Sequence, residues 1–337
     1  MRRAWTGRMG GARGMIDRCG REIDYLRISI TDRCNLRCVY CMPEGGVRAL
    51  AHEDVLTYEE IVRVVRLMAG MGIRHIRITG GEPMARLGCL DLAEKIHAVP
   101  GIHSLSMTTN ALLLRGRVNR AQEAGIDALN ISLDTVDPDV YARMTRGGDV
   151  RTVLEVIDQA VQRGMGVKVN AVPVRGMNDG GLVRLAELAR EKPVCVRFIE
   201  LMPVGCGADL SPVPTQEVEA KMERAFGALS PDDSVHGYGP ARYVRPAGFA
   251  GSIGFISPMS HEFCGACNRV RLTADGYLKL CLNHTAGLDL RAMLRGGADD
   301  ARLAGEIRAA IENKPARHGF MEEIGDREVR RMNEIGG

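Results

Sequence analysis

The sequence predicts an α/β fold built on parallel strands, and three observations support this prediction. Between residues 24 and 201, short β-branched runs alternate with longer amphipathic segments, which is the pattern of repeated βα units. Hydrophobic residues make up 45% of the chain but aromatic residues only 4%, so the core is aliphatic, as in a sheet covered by helices. The length of 337 residues suits a single barrel with an appendage.

Six strand candidates are separated by helical patterns. The strands are predicted at residues 24–32, 75–79, 104–110, 128–134, 166–174 and 194–201. The clearest helix is predicted over 57–72, where Thr57 and Glu60 have capping-box spacing. Its apolar face consists of Ile61, Val64, Val65 and Met68. Because eight units close a full barrel, six units leave two architectures open: a three-quarter barrel or a doubly wound sheet.

The chain divides into three regions. Residues 1–14 carry four arginines and no apolar signal-peptide core, which predicts a disordered basic tail. Residues 15–204 contain the βα units, and residues 205–337 are richer in Pro and Gly and end in a Gly pair. Met1, Met9 and Met15 are all candidate starts.

Composition narrows the function classes. A formal net charge of +3 is too small to indicate a nucleic-acid partner, and we find no run of 18 apolar residues that would predict a membrane helix. The ten cysteines, without a secretory signal, indicate a reducing, cytoplasmic environment rather than a disulfide framework. Six of the ten form two tight groups, which indicates metal binding.

The first cysteine group, Cys34, Cys38 and Cys41, follows the first predicted strand with Cx3Cx2C spacing. Structural zinc sites use four ligands, whereas three thiolates in one loop suit a [4Fe-4S] cluster with one iron open to another ligand. The segment "TGGEP" at 79–83 follows the next strand, and its glycines would allow backbone to approach a ligand closely.

The second cysteine group, Cys264, Cys267 and Cys281, also supplies three thiolates. A second [4Fe-4S] cluster is one interpretation, and zinc completed by a nearby side chain is the other. The candidate zinc partners are His261, Glu262 and His284. Arg269 and Arg271 lie between these cysteines and suit an anionic substrate.

Together these motifs resemble the GTP 3′,8-cyclases, a family of radical S-adenosylmethionine (SAM) enzymes in molybdenum cofactor biosynthesis. The resemblance runs in order from about residue 15 to 337 through "DYLRISITDRCNLRCVYCMPE", "IRITGGEPMAR", "TTNALLL", "RFIELMPVG", "FCGACNRVRLTADGYLKLCL" and the final "GG". It implies an incomplete (βα)6 TIM-like barrel, with a C-terminal extension that carries a second iron-sulfur cluster. One departure is Ala111, where family members often carry Gly after "TTN".

The resemblance also implies roles for individual residues. Both cysteine groups would bind [4Fe-4S] clusters. SAM would be lined by Tyr40, Gly81, Ser132 and Met202. GTP would be held by Arg27, Arg77, Thr108, Lys168, Arg269, Val270 and Arg271. Catalytic roles would fall to Arg27 and to Gly336 and Gly337, the diglycine tail that would enter the active site.

The implied activity is the conversion of GTP to (8S)-3′,8-cyclo-7,8-dihydroguanosine 5′-triphosphate, started by reductive cleavage of SAM. The implied partners are an electron donor of flavodoxin or ferredoxin type and a downstream cyclic pyranopterin monophosphate synthase. We expect a monomer or homodimer, with no nucleic acid and no membrane. Two alternatives stay open: a radical SAM peptide maturase with an auxiliary cluster, and a zinc-stabilised RNA-binding protein.

Overall fold

The computed structural model describes residues 14–234, 236–320 and 330–336. Its strands are β1 (Met15–Ile16), β2 (Glu22–Ile23), β3 (Tyr25–Ser29), β4 (His75–Thr79), β5 (Ser104–Thr109), β6 (Ala128–Ser132), β7 (Gly166–Ala171), β8 (Cys195–Ile199), β9 (Leu229–Pro231), β10 (Arg242–Pro246), β11 (Ser252–Ile256), β12 (Arg269–Leu272), β13 (Tyr277–Lys279) and β14 (Gly287–Asp289). Its helices are α1 (Tyr58–Gly70), α2 (Cys89–His97), α3 (Val118–Glu123), α4 (Pro138–Thr145), α5 (Val150–Gln162), α6 (Leu182–Glu191), α7 (Thr215–Phe226), α8 (Leu290–Arg295), α9 (Asp300–Glu312) and α10 (Met332–Ile335).

All six predicted strands are present as β3 to β8. They pair in sequence order, and every pairing among them is parallel. Helix α1 confirms the prediction over 57–72: the Thr57 side chain accepts from the Glu60 N–H, and the Glu60 side chain accepts from the Thr57 N–H. The four residues of its predicted apolar face are all buried.

The C-terminal region extends the same sheet at both sides. The strand order is β14-β13-β12-β3-β4-β5-β6-β7-β8-β11-β10-β9. Strand β12 is parallel to β3, and β11 is parallel to β8, so eight consecutive strands run in one direction. The outer strands β13, β14, β10 and β9 pair antiparallel. Residues from all eight parallel strands line one cavity, which requires the sheet to curve into an incomplete barrel.

The two faces of the barrel strands differ in chemistry. Side chains that point to the helices are aliphatic and buried, such as Ile28, Ile78 and Ile131. Side chains at alternating positions point inward, and at mid-strand they are polar or charged, as at Arg27 and Arg77. The sequence alternation therefore gives an aliphatic shell around a polar interior.

Strands β1 and β2 form a separate two-stranded sheet. Of the predicted basic tail, residues 1–13 lie outside the described residues, whereas Gly14 donates its N–H to Glu22 at 2.9 Å. Within the described ranges, no helix is both long and apolar enough to cross a bilayer.

Candidate active site

The barrel interior contains a cavity of about 320 Å³ that both cysteine groups line. The first group follows β3, at the carboxyl ends of the barrel strands. Cys264 and Cys267 precede β12, and the Arg269 pairing with Tyr25 places them near the amino end of β3. The two groups therefore reach the cavity from opposite ends of β3 and β12, and the four residue steps of β3 span about 13 Å.

The first cysteine group lies on a loop that arginines hold together. Arg37 donates to the Cys34 carbonyl at 2.7 Å, and Arg146 donates to the carbonyls of Arg37 and Met42 at 3.0 Å. Burial raises the pKa of the Cys34, Cys38 and Cys41 thiols. A cation such as iron is therefore needed to hold these side chains as thiolates at neutral pH.

Gly80 and Gly81 pack the "TGGEP" turn against this cysteine loop. A Cβ on Gly81 would lie 2.5 Å from the Arg33 carbonyl oxygen, and one on Gly80 would lie 2.5 Å from that of Thr31. Gly80 also has φ +155. The two glycines therefore allow the turn to pack closely against the backbone of the cysteine loop. Gly81 also lines the cavity.

Glu82 of the same turn fastens the end of β5. Its carboxylate accepts from the Thr109 hydroxyl at 2.8 Å and from the Asn110 N–H at 2.7 Å. The Asn110 amide then points to the Cys34 sulfur at 3.8 Å. Burial raises the pKa of Glu82 to about 7 despite these donors. Glu82 therefore couples the turn to the cysteine loop through Asn110.

The four predicted SAM contacts, Tyr40, Gly81, Ser132 and Met202, all line the cavity. The Tyr40 hydroxyl donates to Asp134 at 2.8 Å, and the other Asp134 oxygen accepts from the Val172 N–H at 2.9 Å. Burial raises the pKa of Asp134 to about 6. These bonds hold the first cysteine loop against the ends of β6 and β7.

The spacing of the sulfur atoms bears on which metal could bind. Within the described residues, only Glu262, Cys264 and His318 form a group of three or more Cys, His, Asp or Glu side chains whose ligand atoms all lie within 4.8 Å. Neither cysteine group meets this limit. The three thiolates of each group therefore do not converge on one point as the ligands of a tetrahedral zinc site do.

His318 is already engaged in hydrogen bonds. Its Nε2 donates to the Pro258 carbonyl at 2.8 Å, its Nδ1 accepts from the Phe320 N–H at 3.5 Å, and its backbone N–H reaches the Cys264 sulfur at 3.4 Å. A ring with both nitrogens occupied is a poor metal ligand. His284, an alternative zinc partner, instead bonds the Arg317 carbonyl at 3.0 Å.

The second cysteine group lies beside cationic side chains. Burial raises the pKa of Cys267, but the charges of Arg269 and Lys314 outweigh this effect and lower it to about 7. Lys314 lines the cavity and also donates to the Leu280 carbonyl at 2.5 Å. This environment favours a thiolate at Cys267, which is the form that binds metal.

A row of guanidinium groups crosses the cavity wall between the two cysteine groups. Arg271 is in register with Arg27, and Arg27 is in register with Arg77. Burial, followed by the charges of Arg271 and Arg77, lowers the pKa of Arg27 well below its usual value. Burial and Arg269 lower that of Arg271 to about 10.

These four arginines bring several positive charges to one wall of the cavity. Among the residues that the structure describes, no carboxylate forms an ion pair with Arg27, Arg77, Arg269 or Arg271. The Arg27 Nε and the Thr108 hydroxyl are buried and find no hydrogen-bond partner within the described ranges. Buried cations and orphaned donors are costly unless a ligand satisfies them, so this wall is built to bind an anion.

Two predicted GTP contacts lie away from the cavity lining. The Val270 side chain is fully buried on the opposite face of β12, so only its backbone faces the neighbouring strand β3. Lys168 lies one strand from Arg197, and burial followed by the charges of Arg197 and Arg77 lowers its pKa to about 7. Arg197 lines the cavity and donates to Asn170 and Asn130.

The C-terminal tail reaches the mouth of the barrel. The Gly336 carbonyl accepts from Arg271 at 2.7 Å. A Cβ on Gly336, whose φ is +84, would lie 2.8 Å from the Ser29 Cβ and 3.1 Å from the Thr79 Cγ2. A residue with a side chain would not fit at this position. Gly337 lies outside the described residues.

Several residues at the site escaped the sequence analysis. Lys314, His318 and Asn333 all line the cavity, yet each lies far in sequence from the motif it contacts. Asn333, for example, donates to the Asp32 carbonyl at 3.2 Å, 301 residues away. The sequence pattern alone offered no signal for these contacts.

Two family profiles match this chain. Residues 28–189 match the radical SAM superfamily, and residues 194–320 match the family described as Molybdenum Cofactor Synthesis C. Among solved structures, SuiB from Streptococcus suis bound to S-adenosylmethionine superposes with a TM-score of 0.58 at 15% sequence identity, covering 85% of this chain and 68% of SuiB. At that identity, the similarity establishes the fold alone.

Curated relatives match over nearly the full length. The GTP 3′,8-cyclase of Pelotomaculum thermopropionicum is 47% identical over 327 residues, covering 96% of this chain and 100% of the relative. The GTP 3′,8-cyclase of Moorella thermoacetica is 45% identical, and that of Clostridium perfringens is 41% identical, each with the same coverage. With the fold, the two cysteine groups and the arginine wall in place, these matches show that the chain belongs to the GTP 3′,8-cyclase family of radical SAM enzymes.

Proposed function

We propose that this chain is an enzyme that converts GTP to (8S)-3′,8-cyclo-7,8-dihydroguanosine 5′-triphosphate in molybdenum cofactor biosynthesis. The observation that carries the proposal is one cavity lined by two cysteine groups and by a row of arginines with which no carboxylate of the described residues forms an ion pair. Its relatives at 41–47% identity are named GTP 3′,8-cyclases.

The first cysteine group would hold a [4Fe-4S] cluster whose open iron binds SAM, next to Tyr40, Gly81, Ser132 and Met202. When bound, the cluster and SAM supply a 5′-deoxyadenosyl radical that abstracts a hydrogen atom from the substrate. The residues of this chain exclude water and fix geometry. Tyr40 and Asp134 hold the cysteine loop against β6 and β7, which would fix the position of a bound cluster relative to the substrate.

The second cysteine group would hold a second [4Fe-4S] cluster with its own open iron, which would bind the purine. The triphosphate carries roughly four negative charges, and a row of guanidinium groups can neutralise them while fixing the position of the ribose. Arg27, Arg77, Thr108, Lys168, Arg269, Arg271 and the Val270 backbone would form this contact surface. Arg27 lies at its centre, in register with Arg77 and Arg271, which suits a catalytic role.

The tail would complete the site. Gly336 bonds Arg271 and, together with Gly337, would position that guanidinium toward the substrate. We further infer an electron donor of flavodoxin or ferredoxin type, and a cyclic pyranopterin monophosphate synthase that consumes the product.

The test begins with anaerobically purified protein. It should be brown and contain about eight irons per chain, and with dithionite, SAM and GTP it should form the cyclic product. Cys34→Ser should abolish SAM cleavage, whereas the matched variant Cys264→Ser should keep SAM cleavage and lose GTP conversion. A colourless protein with bound zinc, or SAM cleavage by the wild type without GTP conversion, would refute the proposal.

A further inference from the structure

The loop that carries the first cysteine group, residues 33–50, has an inner and an outer side. On the inner side, Cys34, Cys38 and Cys41 line the cavity. Other parts of the loop are exposed to solvent, as at Arg48. A molecule can therefore approach this loop from outside the barrel without entering the cavity.

Five arginines lie on this loop or on the segment that packs against it, and we call them the outer arginines. They are Arg33, Arg37, Arg48, Arg143 and Arg146. Four of them are exposed and Arg37 is half-buried, and none of the five lines the cavity. Their charges therefore act on molecules that approach from solvent.

The end of helix α4 packs directly on the cysteine loop. The Arg37 N–H donates to the Thr145 carbonyl at 3.1 Å, and the Val39 N–H donates to the Met144 carbonyl at 2.9 Å. The helix end thereby adds two of the outer arginines to the three that the loop itself supplies. The five charges belong to one continuous part of the surface.

Arg146 reaches the backbone beside two of the cysteines. It donates to the carbonyls of Arg37 and Met42 at 3.0 Å, and these residues adjoin Cys38 and Cys41 in the sequence. Its φ of +54 is a left-handed conformation that glycine commonly adopts at the end of a helix, so these bonds offset the strain of an arginine here. One layer of backbone separates the Arg146 guanidinium from the first cysteine group.

The outer side of the site is strongly positive. Residues 33–50 and 143–149 contain the five outer arginines but only two carboxylates, Glu44 and Asp149. Asp149 forms an ion pair with Arg151 at 3.4 Å, and within the described ranges no carboxylate pairs with an outer arginine. The two segments therefore hold an excess of three positive charges, as large as the net charge of the whole chain.

The chemistry expected at the first cysteine group explains what this charge would attract. In the proposed function, reductive cleavage of SAM consumes one electron from an external donor. The arginines inside the cavity face the small anionic substrate, whereas the outer arginines face solvent. A protein with acidic groups around its redox centre would be steered to this surface, and its redox centre would then lie beside the cysteine loop.

We propose that the outer arginines form the docking surface for a small acidic electron-transfer protein, which delivers one electron to the first cysteine group's cluster from outside the barrel. The carrier is oxidised by one electron and the cluster is reduced by one. This inference rests on the proposed function, which assigns a [4Fe-4S] cluster to these cysteines.

The probes are a purified flavodoxin and a purified [4Fe-4S] ferredoxin, both of net negative charge. Isothermal titration calorimetry measures the binding of each oxidised carrier to the cluster-loaded protein at low and at physiological salt. Stopped-flow absorbance measures cluster reduction by each reduced carrier, and iron content verifies that every variant is loaded.

The test variant is Arg48→Glu combined with Arg143→Glu, because both side chains are exposed and neither holds the cysteine loop in place. The matched control is Arg163→Glu combined with Arg190→Glu. These two arginines are also exposed, but they lie shortly before β7 and β8, at the amino ends of the barrel strands. Both variants change the net charge equally.

We expect the wild type to bind at least one carrier, and the test variant to bind that carrier about tenfold more weakly, since two attractive charges become repulsive. Cluster reduction by the carrier should slow in parallel, and the salt dependence of binding should decrease. The control variant should behave like the wild type. Dithionite, which needs no docking, should reduce all three proteins to the same extent, and GTP should bind all three equally.

Several results would overturn the inference. They are wild-type binding to neither carrier, undiminished binding by the test variant, and an equal loss in the control variant, which would show a nonspecific charge effect. Weaker GTP binding confined to the test variant would show instead that the outer arginines attract the substrate. A wild type that the carrier binds and reduces, but that does not convert GTP, would refute the proposed function and keep the docking surface.

Discussion

Replacement of Arg21 by Lys should selectively disrupt the second cysteine group. Arg21 lies in the β1–β2 turn and is buried. Its Nε donates to Asp17 at 2.6 Å, and its remaining donors reach four backbone carbonyls between 2.7 and 3.2 Å. Those carbonyls belong to Cys264, Lys314, Pro315 and Ala316. All five N–H donors of the guanidinium group are therefore used.

The magnitude follows from counting donors. A lysine ammonium offers three donors, so at least two of the five bonds are lost and buried acceptors stay unsatisfied. Each hydrogen bond to a charged group contributes about 1.5–3 kcal/mol, so the junction loses about 3–6 kcal/mol. This loss falls on the loop with Cys264 and on the segment that carries Lys314 and His318.

The assay is iron content after anaerobic reconstitution, together with SAM cleavage. Arg21→Lys should hold about four irons where the wild type holds about eight, and it should retain SAM cleavage while losing GTP conversion. Arg18→Lys is the matched control, since Arg18 lies in the same turn, is exposed, and bonds Glu312 only through its backbone N–H. A full iron complement with normal GTP conversion in Arg21→Lys would refute the reasoning, and loss of both clusters would show general unfolding instead.

Three further predictions concern Ala111, Lys168 and the two C-terminal glycines. Ala111 has φ +69, a conformation that costs an L-residue about 1–2 kcal/mol. Ala111→Gly should therefore raise the free energy of unfolding by about 0.5–1 kcal/mol, once the entropy cost of glycine is subtracted. A lower free energy of unfolding in urea denaturation would contradict this prediction. Because the pKa of Lys168 is about 7, its ammonium loses the proton above that pH, and GTP binding must then restore it. The dissociation constant for GTP should therefore rise by up to tenfold per pH unit above 7. Lys168→Arg should remove this pH dependence because arginine stays protonated. If the pH dependence persists in Lys168→Arg, it arises from Cys195 and His236, which lie near Lys168. Deletion of Gly336 and Gly337 removes the carbonyl that accepts from Arg271 and should abolish cyclisation with iron content unchanged, whereas full activity in the shortened protein would disprove a role for the tail.

Local patterns predicted the barrel strands closely. Observed strands β3 to β8 begin within one residue of the predicted bounds and end up to three residues earlier, because β-branched runs and helix caps are local signals. Strands β11 and β12 were not predicted, since "SIGFI" and "RVRL" are short and lie outside the βα rhythm. Their parallel partners, β8 and β3, are distant along the chain.

The candidate site also contains residues that the sequence predicts and contacts that it does not. The cysteine groups and the arginines inside apolar strands are visible in the sequence, because buried charge without a local partner is unusual. The Arg21 contact to Cys264 spans 243 residues, and the Cys195–His236 contact depends on a loop that no periodicity describes. Such contacts follow from tertiary packing and are not encoded in any local pattern.

The continuity of the sheet has a consequence for dissecting the protein. Four residue pairs join β8 to β7, and four join β12 to β3, so strands from the segment that matches the second family profile cover both outer strands of the N-terminal part of the sheet. If residues 14–193 were produced alone, the donors and acceptors of β3 would face water or another chain, and β8 would be missing altogether. Exposed edges of this kind invite intermolecular strand pairing. We therefore expect the isolated N-terminal portion to aggregate, and the two segments to unfold in one cooperative transition.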